Sequence, residues 1–582
     1  MASKLNISLV RRILAYTKPY KALFIASVFL TLSLSVFAIV RPLLIKEVLN
    51  KAVSETKDVS YLNLISLLIL ISLVTEAVLQ TINIRVTSLI GQSIVNDLRN
   101  QVYKHILKLK NAYFDNTPVG MLVTRCISDI ESLSDVFAQG FIVIAGDILM
   151  LLIFCAVMLN QNWMLSLLAF STIPFLFVAT ALFKKGVKKT FTMVRNAVSN
   201  LNTFTQEHIT GMSLIQTFNR EQAEYKKFTI INQEHRDANI KSIFYYSVFF
   251  PVVDILAATS IALIIWFAGI KSNQQNINLG DVTFFIMMVN LLFRPIRMLA
   301  DRLNTIQMGF VSAERVFKVL DTNEIIEDVG TIEFKSVQKN IVFDQVDFSY
   351  LPDVNILNKL SFEIKKGESV AFVGATGSGK TTIINLLSRF YEINNGSIKI
   401  DGRSIQEYTL NSLRQNTGVV LQDVHLFNDS VLNNITLNNP EITLESVEKA
   451  TKEIGLYDYI QSLPGGFNYK VSERGQSLSA GQKQLIAFIR AYVYNPGIFI
   501  LDEATATIDS ETETLIKSAT DKISKNRTSI IIAHRLSTIK NVDKIFVLEK
   551  GKILEEGSPI DLLMNTSGKF YAMYNSAQPT LV

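Results

Sequence analysis

Hydrophobic and polar positions fall into two regimes along this chain. Before residue 300 there are six apolar runs, near 23–43, 61–80, 140–160, 163–183, 243–270 and 279–299. Each is long enough to cross about 30 Å of hydrocarbon as a helix. Buried helices of a soluble core would not need six runs of this length. Pro174, Pro251 and Pro295 fall inside three of them, which membrane helices tolerate where neighbours satisfy the freed backbone groups. Beyond residue 330 the pattern changes to short apolar runs alternating with helical periodicity, the mark of an α/β domain.

The connections between runs are of two kinds. Those at 80–139 and 184–242 are about 60 residues long, too long for structureless loops in a compact domain. In the first, Ile94, Leu98, Val102, Ile106 and Leu109 recur at helical spacing. The spans therefore continue as helices beyond the membrane, turning at Asn116-Thr117-Pro118 and near Thr210-Gly211. Each turn presents a crosspiece, near 110–120 and 210–220. Lys and Arg concentrate in the N-terminal segment and in these two connections, so the positive-inside rule places them, and both termini, in the cytoplasm. The segment before residue 22 reads as an amphipathic elbow helix on the cytoplasmic surface. The expected domains are a six-helix transmembrane domain at 1–322, an acidic linker at 323–330 and a soluble domain at 331–582. The latter is expected to begin with two strands, at 331–337 and 340–350.

Composition sharpens this reading. Of 582 residues 49% are hydrophobic and 19% charged, with a mean hydropathy of +0.28. A net charge of +6 is too small over this length to argue for nucleic acid. Cys126 and Cys155 have neither metal-binding nor disulfide-framework spacing. Within the spans lie Glu76, Asp147, Asp254 and Arg294. Each costs about 2.5–3.5 kcal/mol at a helix centre, so each should face a partner or a watery cavity. Asp254 either lines a translocation path or pairs with Arg294 or Arg297. Arg41 and Arg297, near span ends, are expected to snorkel.

The strongest chemistry is Gly374-Ala375-Thr376-Gly377-Ser378-Gly379-Lys380-Thr381-Thr382, set between an apolar strand at 369–373 and a helical run. Glycines let backbone N–H groups converge, and the new helix adds its positive end, which makes a phosphate cradle. Lys380 would reach the β- and γ-phosphates and the Thr381 hydroxyl would ligate Mg²⁺. Tyr350, about 25 residues earlier, either stacks on an adenine ring or closes the core at a strand end. Gln422 follows a strand and can meet both Mg²⁺ and the attacking water. Ser479 and Gly481 open a helix, a second anion-receiving N-terminus. One chain thus carries two receptors for one γ-phosphate, which argues for a dimer with two nucleotides between its subunits. Asp502 and Glu503 end an apolar strand as metal-binding carboxylate and general base. Asp509 follows in a turn able to bridge subunits. His534 ends another strand, placed to hold the γ-phosphate. His105, His208 and His235 carry no assigned role, and His425 reads as surface.

In this order the pieces resemble the ATP-binding cassette family. Gly374–Thr381 looks like its Walker A motif, Leu421-Gln422 its Q-loop and Leu478-Ser479-Ala480-Gly481-Gln482 its signature motif. Asp502-Glu503 looks like the end of Walker B, Asp509 the D-loop aspartate and Ala533-His534-Arg535 the switch region. Phe114-Asp115, Gly120 and Arg125…Asp129 resemble the first coupling region, Gly211…Ile215…Phe218 the second, and 312–317 the junction to the cassette. The signature departs from the family in Ala480, where glycine is usual, and in the less basic run after it. Such variants are similar to a subgroup whose members often pair with a different half-transporter.

The resemblance implies an exporter half-transporter of the bacterial lipid-flippase and multidrug type. ATP and Mg²⁺ would be its cofactors, a second half-transporter subunit its partner, in a homodimer or a heterodimer. A hydrophobic small molecule or lipid would be its substrate, and the bacterial inner membrane its place. The alternative is an ATP-gated channel or a regulatory membrane ATPase built on the same cassette.

Overall fold

The computed structural model describes residues 7–55, 59–275, 277–352, 354–502, 510–525, 527–533, 539 and 541–577. The chain divides into two compact units. One comprises Met1–Leu107 and Pro118–Thr322, the other Lys108–Thr117 and Asn323–Val582.

The first unit is helical. Its long helices are Lys21–Glu47, Val59–Ile106, Ile142–Gln161, Ile173–Thr210, Glu221–Gln275 and Leu279–Leu320. Five segments among the described residues are long and apolar enough to cross a membrane. The sixth expected span lies in Leu279–Leu320, where some side chains fall outside the described residues. Leu70, Phe177 and Trp266 are each at least 60% exposed on these helices. Apolar side chains on an outer face suit a helix solvated by lipid.

Three details show how the spans settle their polar groups. The 163–183 run is two helices, Trp163–Phe170 and Ile173–Thr210, broken at Ser171-Thr172 with Pro174 in the first turn of the second. At this break the Ser260 hydroxyl, from the Glu221–Gln275 helix, donates to the Ala169 carbonyl at 3.1 Å and also meets the Thr172 hydroxyl. A neighbour thus replaces what the broken helix gives up. Arg41, expected to snorkel, instead pairs with Glu76 at 3.2 Å. Its helix packs against the Val59–Ile106 helix, which brings the Glu76 carboxylate within its reach. Asp147 pairs with Arg302. Asp254 and Arg294 are exposed, and the side chain of Arg297 lies outside the described residues.

The helical extensions are tied by charge. Asp129 is buried, paired with Arg125, accepts from the Ser312 hydroxyl at 3.1 Å and lies 3.8 Å from Arg315. The N-terminal helix Ile7–Ala15 is anchored by Arg12, which donates twice to Asp321 at 2.7 Å and lies 4.1 Å over the Phe317 ring. The second crosspiece, Met212–Thr217, presents exposed Leu214, with Phe218 exposed just beyond it.

The second unit holds two sheets. Strands β1 (Asn340–Ser349), β2 (Asn355–Lys365), β4 (Asn395–Ile400) and β5 (Arg403–Ser404) form an antiparallel sheet in the order β2-β1-β4-β5. The larger sheet contains β3 (Ser369–Val373), β6 (Thr417–Val420), β7 (Ile498–Asp502), β8 (Thr528–Ile532), β9 (Lys544–Glu549) and β10 (Lys552–Gly557), in the order β10-β9-β3-β8-β7-β6. It is parallel except where β10 pairs with β9. β3, β7 and β8 are buried at every position, which is why they read as unbroken apolar runs. Phe362, Phe372 and Phe546 pack where the two sheets meet.

The strand expected at 331–337 does not form. Only Ile332 bridges, to Tyr408. Phe334 and Val337 are buried, while Phe334 N–H donates to the Ser412 hydroxyl at 2.9 Å and Ile332 N–H to the Glu407 carbonyl. Helix-end and loop groups satisfy this backbone, so its alternating side chains anchor it without a ladder. The first crosspiece, the Asn111–Asn116 helix, belongs to this unit. Leu109 bridges Ile325, and Lys110 N–H donates to the Glu324 carbonyl at 2.8 Å.

Asp129→Ala leaves Arg125 without its buried counter-charge. It should destabilise the helical unit by about 3 kcal/mol, whereas Ser312→Ala should cost about 1 kcal/mol. Thermal unfolding of the two purified variants in one detergent checks the order, and equal losses would refute it.

Candidate functional site

The site grows from the C-terminal end of β3. Beyond Val373 the chain turns through Gly374–Gly379 into the helix Lys380–Leu387. Gly377 and Gly379 have φ of +82° and +106°, a left-handed backbone that side chains resist. A Cβ on Gly379 would come within 2.7 Å of Leu357 Cδ2, and one on Gly374 within 2.3 Å of the Leu548 carbonyl oxygen. Both close approaches fix the loop against the sheets. The turn between β9 and β10 backs it as well, with Gly551 N–H donating to the Ser378 carbonyl at 3.2 Å.

Lys380 is 5% exposed. Its Nζ donates to the carbonyls of Gly374 at 2.8 Å and Ala375 at 3.0 Å. Burial pushes its pKa below the usual lysine value, and Asp502 opposes that shift. The Ser378 hydroxyl is buried without a hydrogen-bond partner among the described residues, a polar group that an anion's oxygen would satisfy. The Thr381 hydroxyl donates to Asp502 Oδ2 at 3.3 Å. A hydroxyl and a carboxylate meeting at one point are hard oxygen donors of the kind Mg²⁺ takes. Asp502 ends β7, two strands from β3, so the parallel sheet delivers carboxylate and loop to one edge. That edge is where open α/β sheets bind ligands.

Tyr350, just beyond β1, is 42% exposed. Its hydroxyl donates to the Thr382 hydroxyl at 3.3 Å and accepts from Asn385 Nδ2 at 3.0 Å. It is therefore joined to the loop's helix and retains an open face. Ala375 and Thr376 lie within the turn. Gln422 is exposed two residues past β6, whose neighbour is β7. Glu503, Asp509 and His534 lie outside the described residues. Ala533, immediately before His534, donates its N–H to the Phe372 carbonyl of β3.

Ser479, Gly481 and Gln482 form the start of the helix Ala480–Val493. Ser479 Oγ accepts from Gln482 N–H at 3.2 Å, and Gln482 Oε1 accepts from Ser479 N–H at 2.9 Å. This capping box uses the hydroxyl as an acceptor and leaves its proton for an anion.

Among the described residues no group of three or more His, Cys, Asp or Glu side chains is placed to hold a metal. Both cysteines are free, and His425 is exposed. Two contributors escaped the sequence reading, Asn385 and the Lys550-Gly551 turn. The turn's residues signal a hairpin, but its position behind the loop is set by the order of strands.

The description "ABC transporter transmembrane region" matches residues 24–296, and "ABC transporter" matches 357–506. The chain is 35% identical to the uncharacterised ABC transporter ATP-binding protein YknV of Bacillus subtilis, over 97% of this chain and 94% of that one. It is 33% identical to the ATP-dependent lipid A-core flippase of Desulfotalea psychrophila, over 98% of this chain and 99% of that one. Among solved structures, a bacterial Atm1-family ABC exporter with ATP bound matches with a TM-score of 0.79 at 26% identity, covering 97% of this chain and 99% of that chain. A phosphate loop at the edge of a parallel sheet, joined in one chain to membrane helices, accords with these matches: the chain belongs to the ABC transporter family, as an exporter half-transporter that couples ATP hydrolysis to transport.

Proposed function

We propose that this chain, as one half of a dimeric exporter, moves a hydrophobic or amphipathic molecule such as a lipid or drug across a bacterial cell membrane. The reading is carried by one observation, the buried Lys380 ammonium held over the loop carbonyls beside the Thr381–Asp502 contact. Such a cradle recognises polyphosphate, and it is joined in one chain to helices of membrane length. The lipid A-core flippase relative supports an amphipathic substrate. The transmembrane part would occupy 1–322 and the nucleotide-binding part 331–582, with both termini cytoplasmic.

The roles follow from placement. Gly374–Thr382 would enclose the phosphates, with Lys380 swinging from the loop carbonyls to the β- and γ-phosphate oxygens. Tyr350 would stack on the base. Thr381, Gln422 and Asp502 would hold Mg²⁺, whose charge would screen the phosphates. Glu503 would take the proton of the attacking water, and His534 and Gln422 would orient that water. Ser479, Gly481, Gln482 and Asp509 would meet the nucleotide of the other subunit. A nucleotide touching both subunits favours their closed arrangement, and only that difference in affinity drives the membrane helices. The altered signature at Ala480 supports pairing with a different half-transporter, with self-pairing the alternative.

Three measurements test this reading. Lys380→Ala should lose most ATP affinity in equilibrium binding, and unchanged binding would sink the phosphate-loop assignment. Glu503→Gln should keep ATP binding but slow turnover by about a hundredfold or more, and near wild-type turnover would exclude Glu503 as the base. ATPase activity of the lone chain in lipid nanodiscs, across lipids and hydrophobic drugs, should rise with one compound class. Activity indifferent to every compound would count against export.

A further inference from the structure

Tyr350 has a second neighbour that the roles above leave unused. The Tyr391 ring stands edge-on to Tyr350, with centroids 5.0 Å apart and planes at 90°. Phe348 closes the cluster, at 4.8 Å from Tyr350 and 5.9 Å from Tyr391. The phenol of Tyr391 donates to Asp115 Oδ2. Asp115 lies on the Asn111–Asn116 crosspiece, whose chain continues on both sides into the helical unit. All of these groups belong to the same compact unit.

We propose that Tyr391 is a positioning residue that ties the base-stacking Tyr350 to the Asp115 crosspiece, so that a purine seated on Tyr350 biases the crosspiece. The inference rests on Tyr350 being the base platform. Its ring is already held on two sides, by aromatic edges and by Thr382 and Asn385 at its hydroxyl. A base stacked on the open face removes its remaining freedom, and the edge contact passes that restriction to the Tyr391 ring. The Tyr391 hydroxyl carries it on through a hydrogen bond to a charged acceptor, stronger than a neutral one. Burial and Asp115 raise the pKa of this phenol above the usual tyrosine value, so it stays a donor through the physiological range. One removable hydrogen bond links the aromatic cluster to the crosspiece.

The test uses the full chain in nanodiscs, with Cys126 and Cys155 replaced by serine and spin labels at Leu107→Cys and Lys359→Cys, both exposed positions. ATP-induced change in the label distance is read together with ATP affinity and the KM and kcat of hydrolysis. Tyr391→Phe and Asp115→Ala should each leave affinity and KM within about twofold but reduce the ATP-induced population shift about five- to tenfold. Their combination should do no more than either alone, because both remove the same bond. Asp115→Asn keeps an acceptor oxygen and should keep most of the shift. A full shift in Tyr391→Phe, or additive losses in the double variant, would overturn the inference. Tyr350→Leu separates the two claims. Unchanged ATP affinity in that variant removes the base platform itself, and the inference with it. Weakened affinity there beside a normal Tyr391→Phe removes only the tie.

Discussion

A buried ammonium group sets the terms for the nucleotide-binding unit. Lys380 sits at the start of a helix, almost without solvent, so its charge has to be met by oxygens wherever it goes. Backbone carbonyls of its own loop meet it in this structure, and phosphate oxygens would meet it in the proposed function. That requirement forces the loop to curl back on its helix, which places Gly377 and Gly379 in left-handed conformations. The same curl brings the Leu548 carbonyl to Gly374 and the Leu357 side chain to Gly379, each closer than a Cβ permits. A fully buried parallel sheet then fixes the loop's base and brings Asp502 to the same edge.

The membrane unit answers a related constraint with different means. Hydrocarbon offers no partners, so several polar groups within the spans find theirs on neighbouring helices. Arg41 meets Glu76, Asp147 meets Arg302, and a serine of one helix serves the interrupted backbone of another. Below the spans the same logic gathers Arg125, Ser312 and Arg315 around Asp129. Apart from Arg125–Asp129, four residues apart, these pairs cross between helices, so they help fix which helices are neighbours. They do not add to stability in proportion to their number.

Much of this could be read from the residues. The apolar runs announced the spans because length and composition suffice for that. The loop at 374–382 announced itself because glycines, lysine and threonine occur between a strand and a helix, and Asp502 because a carboxylate closes an apolar strand. The segment at 331–337 misled because alternating burial is the mark of a strand, yet burial can alternate without a paired neighbour. Arg41 misled because distance to a span end is visible in sequence and a carboxylate on the adjoining helix is not. Asn385, Tyr391 and the Lys550-Gly551 turn stayed hidden for the same reason, since contacts between remote segments depend on strand order. The crosspieces were foreseen as helical turns. The first packs as part of the nucleotide-binding unit through the bridge of Leu109 to Ile325 and the bonds from Lys110 to Glu324 and from Tyr391 to Asp115.

That membership has a consequence for how the protein is made. Residues Lys108–Thr117 leave the ribosome about 200 residues ahead of the remainder of their unit, which at ordinary synthesis rates is roughly 10–40 s. Through that interval four later apolar runs are still to be delivered to the membrane, and Leu109 has no strand to bridge. The surface of the nucleotide-binding unit that meets this crosspiece is therefore synthesised well after the crosspiece itself. When those later residues fold, they meet a segment whose chain runs on both sides into the helical unit.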